Sequence, residues 1–168
     1  MKKIVLLLAF TMLSFWAIAA NEGKIDAALE RISVEYEIES VKMEGAFFRM
    51  MMPLMKIDRK TRKAFKAMNI KEIVITDFQD EPPHIATKVI AQLTEAVKAD
   101  GYLTTPQQSD QTSEDEEIKG DVYSLIEGDK VYGLVIITYF PKANFLCIRC
   151  DMNVSDLEEM VSAIMPNK

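Results

Sequence analysis

Apolar residues recur along this chain in two periods, and the alternation between them predicts most of its elements. Ile25, Ala28, Leu29, Ile32 and Tyr36 fall at helical spacing, with Asp26 in the opening turn, so residues 24–36 read as an amphipathic helix. Residues 37–45 alternate through Ile38, Val41 and Met43 and stop at Gly45, a strand pattern. Pro53 suits the first turn of a second helix, which carries Leu54, Ile57, Thr61, Ala64, Phe65 and Met68 on one face up to residue 68. "KEIVITDFQ", residues 71–79, is a strand. Asp80, Pro82 and Pro83 then open a third helix with Ile85, Val89, Ile90, Leu93 and Val97, which Gly101 closes.

After a short strand at 102–105, residues 106–120 show no apolar period and read as an acidic, solvated, flexible loop. "DVYSLIE" and "KVYGLVIITYF" then flank Gly128-Asp129, a two-residue hairpin signal. Pairing Glu127 with Lys130 puts Leu125 opposite Tyr132, Tyr123 opposite Leu134 and Val122 opposite Val135. "PKAN", residues 141–144, reverses the chain again and sets Phe140 opposite Phe145, Thr138 opposite Cys147, Ile137 opposite Ile148 and Val135 opposite Cys150. Ser155 to Glu158 form a capping box for a last helix with Leu157, Val161 and Ile164 on one face. Strands and helices that mix without regular βαβ alternation indicate an α+β fold: a mainly antiparallel sheet ending in a three-stranded meander, with helices packed on it. The expected arrangement is a two-layer sandwich.

The first twenty residues change the domain picture. Lys2 and Lys3, an apolar run from Ile4 to Trp16, and Ala17-Ile18-Ala19 have the order of an export signal, so residues 1–20 are expected to be removed and 21–168 to form a single α+β domain. An uncleaved anchor is the alternative reading of the same run. The expected location is exported: periplasmic or associated with the cell envelope. The formal charge of −6 becomes −8 without Lys2 and Lys3, which argues against a nucleic-acid partner.

Candidate chemistry is sparse. Cys147 and Cys150 are the two cysteines and form a C-x-x-C. Redox pairs of this spacing sit at a helix start, where the helix lowers one thiol pKa and brings the second within reach. Here they fall in an alternating strand, where residues three apart have Cα atoms about 10 Å apart and point to opposite faces. Cys150 is then a core residue, and Cys147 is a more exposed thiol able to cross-link two copies. Met50, Met51, Met52 and Met55 could offer thioethers to a soft metal, but no histidine lies near and methionine commonly fills apolar gaps. His84, the single histidine, has no recognisable catalytic partners. No catalytic, cofactor or metal residue is assigned, and no cofactor is implied. Lys56, Arg59, Lys60, Arg62, Lys63 and Lys66 give the second helix a basic face, against the single acid Asp58. Such a face is ordinarily just solvated, yet it also suits anionic lipid or an acidic partner.

The largest predicted feature is a surface. If Val135, Ile137, Ile148 and Cys150 face the helices, the reverse of the meander presents Tyr123, Leu125, Tyr132, Leu134, Ile136, Phe140 and Phe145, too much apolar area to lie bare. Either another helix of the chain covers it, giving three layers, or a partner does. The function expected from the residues is therefore a non-enzymatic binding module that takes a protein partner, a second copy as a homodimer, or a small apolar ligand. Its alternatives are a thiol redox or soft-metal protein using Cys147 and Cys150, and a peripheral membrane protein using the basic helix over 53–68.

The run from "KEIVITDFQ" through the third helix and the acidic loop, together with "NFLCIRCDMNVSDLEEMV", resembles a Bacteroidetes family of small exported domains of unknown function. The resemblance covers roughly residues 25–165 and rests on apolar positions without a catalytic signature. It implies export, frequent lipid anchoring and genes placed near extracytoplasmic sigma-factor regulators. This chain departs from it in having no lipid-attachment cysteine at the signal end.

Overall fold

A computed structural model describes residues 23–55, 59–104, 119–140 and 142–157, with the backbone alone at Lys60, Thr61, Ala64, Lys119 and Phe140. Its elements are α1 (Lys24–Tyr36), β1 (Ser40–Glu44), α2 (Gly45–Met51) with a 3-10 turn (Met52–Leu54), α3 (Arg59–Ala67), β2 (Glu72–Asp77), α4 (Pro83–Ala99), β3 (Leu103–Thr104), β4 (Lys119–Glu127), β5 (Lys130–Phe140) and β6 (Asn144–Asn153). Residues 154–157 are helical, and the remainder of the expected last helix lies outside the described residues. So do the export segment, residue 105 and residues 106–118 of the acidic loop. Residues 119 and 120, expected in that loop, belong to β4.

The six strands form one antiparallel sheet in the order β1-β2-β6-β5-β4-β3. The α+β class and the closing β4-β5-β6 meander are therefore as the pattern predicts. Neighbours in a strand point to opposite faces, and both faces of this sheet are packed. On one, α1 places Ile25, Ala28, Leu29 and Ile32, and α4 places Val89, Leu93, Ala96 and Val97, over Val74, Val135, Ile137, Phe145 and Cys147. On the other, Phe48 and Met52 of the α2 segment, with Met68 and Ile70 after α3, cover Ile73, Val131, Leu134, Ile148, Cys150 and Met152. The fold is thus three-layered, not the simpler two-layered sandwich.

The sequence pattern missed α2. Gly45 reads as the end of a strand, yet β1 passes into the helix with no loop, because the Gly45 amide donates to Lys71 O at 2.7 Å and so closes the β1–β2 pairing. The two ends of α1 and α4 are likewise joined. Asp100, just past α4, accepts from the Lys24 and Ile25 amides at 2.7 and 2.9 Å and so satisfies the free N–H groups of α1 from another element.

The strand registers correct the predicted ones. Glu127 does pair with Lys130, but a bulge at Tyr132 shifts the rest, so Leu125 faces Gly133, Tyr123 faces Val135 and Val122 faces Ile136. The second reversal is longer than "PKAN": Thr138 pairs with Asn144, and its hydroxyl donates to Lys142 O across the loop at 2.8 Å. Ile137 then faces Phe145, Val135 faces Cys147 and Leu134 faces Ile148. This is an odd-numbered slip from the expected pairing, and an odd slip exchanges the two faces of a strand relative to its neighbour.

Candidate functional site

The exchanged faces break up the surface expected on the meander. Tyr123 and Phe145 are buried under α1 and α4, with Leu125 packed at the margin of the same cluster, and Leu134 is buried on the other side beneath α2. Tyr132 and Ile136 are half-buried, and the Phe140 side chain lies outside the described residues. The seven residues therefore form no single surface.

What the true register does build is a row across five strands of the sheet's second face. Val41 pairs with Ile75, Ile75 with Leu146, Leu146 with Ile136, and Ile136 with Val122. The row runs beside the cluster under α2. Val41 is 62% exposed and Ile75 42%, Leu146 packs at the cluster's edge, and Ile136 and Val122 are half-buried and belong to neither cluster among the described residues. Sequence reasoning placed Ile136 on the surface and missed the other four, because only the β1-β2-β6 adjacency brings them together.

The thiols lie on opposite faces, Cys147 in the cluster under α1 and α4 and Cys150 in the cluster under α2. Both are free and buried, so the exposed, cross-linking Cys147 is overturned by the register. Burial pushes each thiol up to about 11, the inert end of cysteine behaviour at neutral pH. Around Cys147 the surroundings are specific. The Tyr102 hydroxyl hydrogen-bonds it and occupies the space over Gly133 that a Cβ would need, and burial raises the Tyr102 phenol. Cys150 donates weakly to Val131 O at 3.8 Å.

Beside Cys147, at the rim of the layer under α1, stands the most connected charge cluster among the described residues. Arg149 donates to Glu72, its direct cross-strand partner, at 2.5 Å, and to Asp26 of α1; Lys42 reaches the other Asp26 oxygen at 3.0 Å. Burial alone would raise the Asp26 carboxyl, but the bonds from Lys42 and Arg149 and their charges outweigh it and hold the group below its usual range. The sign follows: the depressed group stabilises the fold fully above its unfolded value of about 3.9, and that contribution is lost as pH falls through the lower folded value. Asp26→Asn is accordingly expected to lower stability by about 1 kcal/mol at pH 7 and to flatten the decline below about pH 4, read as urea midpoints at each pH. A decline as steep as in the parent chain would remove Asp26 from the acid transition. Every charge in this cluster is paired with an opposite one, so it braces α1 against β1, β2 and β6.

Among the described residues no group of three or more side chains could hold a metal ion. The methionines diverge: Met52 is buried beneath α2, whereas Met50 and Met55 are exposed. His84 is exposed at the start of α4. On α3, Arg59, Lys63 and Lys66 are exposed and Arg62 is half-buried, while Lys56 and the Lys60 side chain lie outside the described residues. No described helix is long and apolar enough to cross a membrane. Comparison with family models, curated proteins and solved structures finds no match, so the row Val41-Ile75-Leu146-Ile136-Val122 stands as the candidate site on its geometry alone.

Proposed function

We propose that this protein is an exported, non-enzymatic binding module that recognises a protein partner through the outer apolar row of its sheet. The observation that carries the reading is the row itself: five apolar side chains on adjacent strands, two of them substantially exposed at the β1 edge. Exposed apolar side chains that adjoin one another mark contact sites more often than isolated ones do. The β1 edge adds main-chain groups to which an extended segment could pair. The thiol reading has less support, since both cysteines are buried and face apart. The envelope location follows from the first twenty residues and from the family resemblance.

Native mass spectrometry of the full-length chain taken from its own envelope tests the proposal. The expected result is a defined complex that Ile75→Asp and Val41→Asp each reduce at least tenfold, with the variants' melting temperatures kept within a few degrees. A bare monomer in that preparation, or a complex indifferent to both substitutions, would overturn it. Because both positions are exposed, the substitutions are expected to shift stability by only about 0.5 kcal/mol.

A further inference from the structure

A short helix with apolar side chains on its outer as well as its inner side is unusual in a water-facing layer, and α2 with its 3-10 turn, polar only at Arg49, is such a helix. Gly45, Phe48 and Met52 share the stripe turned to the sheet and are buried. At 100° per residue, Phe47, Met50 and Leu54 fall on the opposite stripe. They are 48%, 64% and 75% exposed. This stripe is separate from the row across the strands.

Next to it lies α3, joined to α2 by the edge-to-face contact of Phe48 and Phe65 at 5.4 Å. Phe65 packs on the buried cluster, and Arg59, Lys63 and Lys66, spaced i, i+4, i+7, occupy the face turned away from it. Both helices rest on the same face of the sheet. Their outer stripes therefore point away from it together, one apolar and one cationic.

Charge is segregated to match. Between Gly45 and Lys71 the chain carries eight cations, Arg49, Lys56, Arg59, Lys60, Arg62, Lys63, Lys66 and Lys71, against the single acid Asp58, although the whole chain has a formal charge of −6. An isologous contact centred on the cationic stripe would set cation against cation. The surface of an anionic bilayer offers what both stripes need: phosphate-bearing headgroups for the cations and, beneath them, an apolar boundary for aliphatic and aromatic side chains. The acid-rich remainder of the chain would be repelled by that surface, which fixes the orientation. We infer that the α2–α3 face is a docking surface for anionic lipid bilayers, with Phe47, Met50 and Leu54 entering the headgroup boundary and Arg59, Lys63 and Lys66 held by lipid phosphates.

The test must separate this face from any tether made by the apolar N-terminal run. Full-length protein is labelled with an environment-sensitive fluorophore at Leu54→Cys or at Val34→Cys, an exposed site on α1 in the opposite layer; the burial of Cys147 and Cys150 confines labelling to the new thiol. With vesicles rich in phosphatidylglycerol, the probe at position 54 is expected to shift to the blue and the probe at 34 to stay in water. The shift should vanish with phosphatidylcholine vesicles and in about 1 M salt, where charges are screened beyond about 3 Å. Lys63→Glu with Lys66→Glu should raise the lipid needed for half the shift at least tenfold. Met50→Cys serves as a second reporter should the probe at 54 disturb the turn. No shift at either reporter with anionic vesicles, an equal shift at 34, or an equal shift with phosphatidylcholine would each overturn the inference.

Discussion

Gly45→Ala is expected to destabilise the fold by about 3 kcal/mol or more, a large effect for the addition of one methyl group. A Cβ at Gly45 would stand 1.8 Å from the carbonyl oxygen of Ile70 and 2.6 Å from its carbon. These are backbone atoms, so no side-chain rotation relieves the overlap, and overpacking of even flexible cores costs about 1–3 kcal/mol. The same carbonyl is held by Arg49, which donates to it at 2.9 Å, and Gly45 N is bonded to Lys71 O. Relief therefore requires α2 to move off the sheet, taking Phe48 and Met52 out of their cluster. Gly128→Ala provides the comparison. Gly128 has φ of 63° with nothing near its Cβ position, so its penalty is the conformational one of about 1 kcal/mol. Urea titrations of both variants decide the matter: a Gly45→Ala midpoint as high as that of Gly128→Ala would mean that α2 is free to shift.

The same residue shows where sequence reasoning stops. α1 and α4 were legible to within a residue because each has one apolar stripe and a polar remainder. β2 and the Glu127–Lys130 turn were legible for similarly local reasons. α2 was not, because a seven-residue helix whose only polar side chain is Arg49 has no apolar period to find, and its start is set by the bond from Gly45 to Lys71, twenty-six positions away.

Register failed for a related reason. Both hairpins were found, but a bulge at Tyr132 and a reversal longer than its Pro-Lys-Ala-Asn signal leave no local mark, and each residue of slip exchanges the faces. The predicted site inherited that error: Tyr123, Leu134 and Phe145 moved into the two cores, and only Ile136 stayed on the candidate row. Of the expected basic face, Arg59, Lys63 and Lys66 are exposed on α3, a placement that helical spacing alone defines. Its apolar neighbour depends on α2 and could not have been seen before α2 was.

Phe145→Ala gives the sharpest test of the corrected register. Phe145 lies between Thr76 of β2 and Ile137 of β5, fully buried beneath α1 and α4. Truncating a buried phenylalanine removes its transfer free energy and leaves a cavity that the rigid sheet and two helices fill only in part, a loss of about 3–5 kcal/mol. In the pairing that sets Phe145 against Phe140 the ring would lie on the outer side of the meander, where truncation is expected to cost well under 2 kcal/mol. Ile136→Ala is the paired control, since Ile136 neighbours Ile137 in β5 but faces the other way and is half-buried; its expected cost is about 1–2 kcal/mol. The predicted register puts both side chains on the outer face and expects two similar, small losses, whereas the observed one makes Phe145→Ala much the larger. Denaturant midpoints with unchanged slopes read the difference directly, and a Phe145→Ala loss no larger than that of Ile136→Ala would return Phe145 to the surface and with it the original meander face as the binding site.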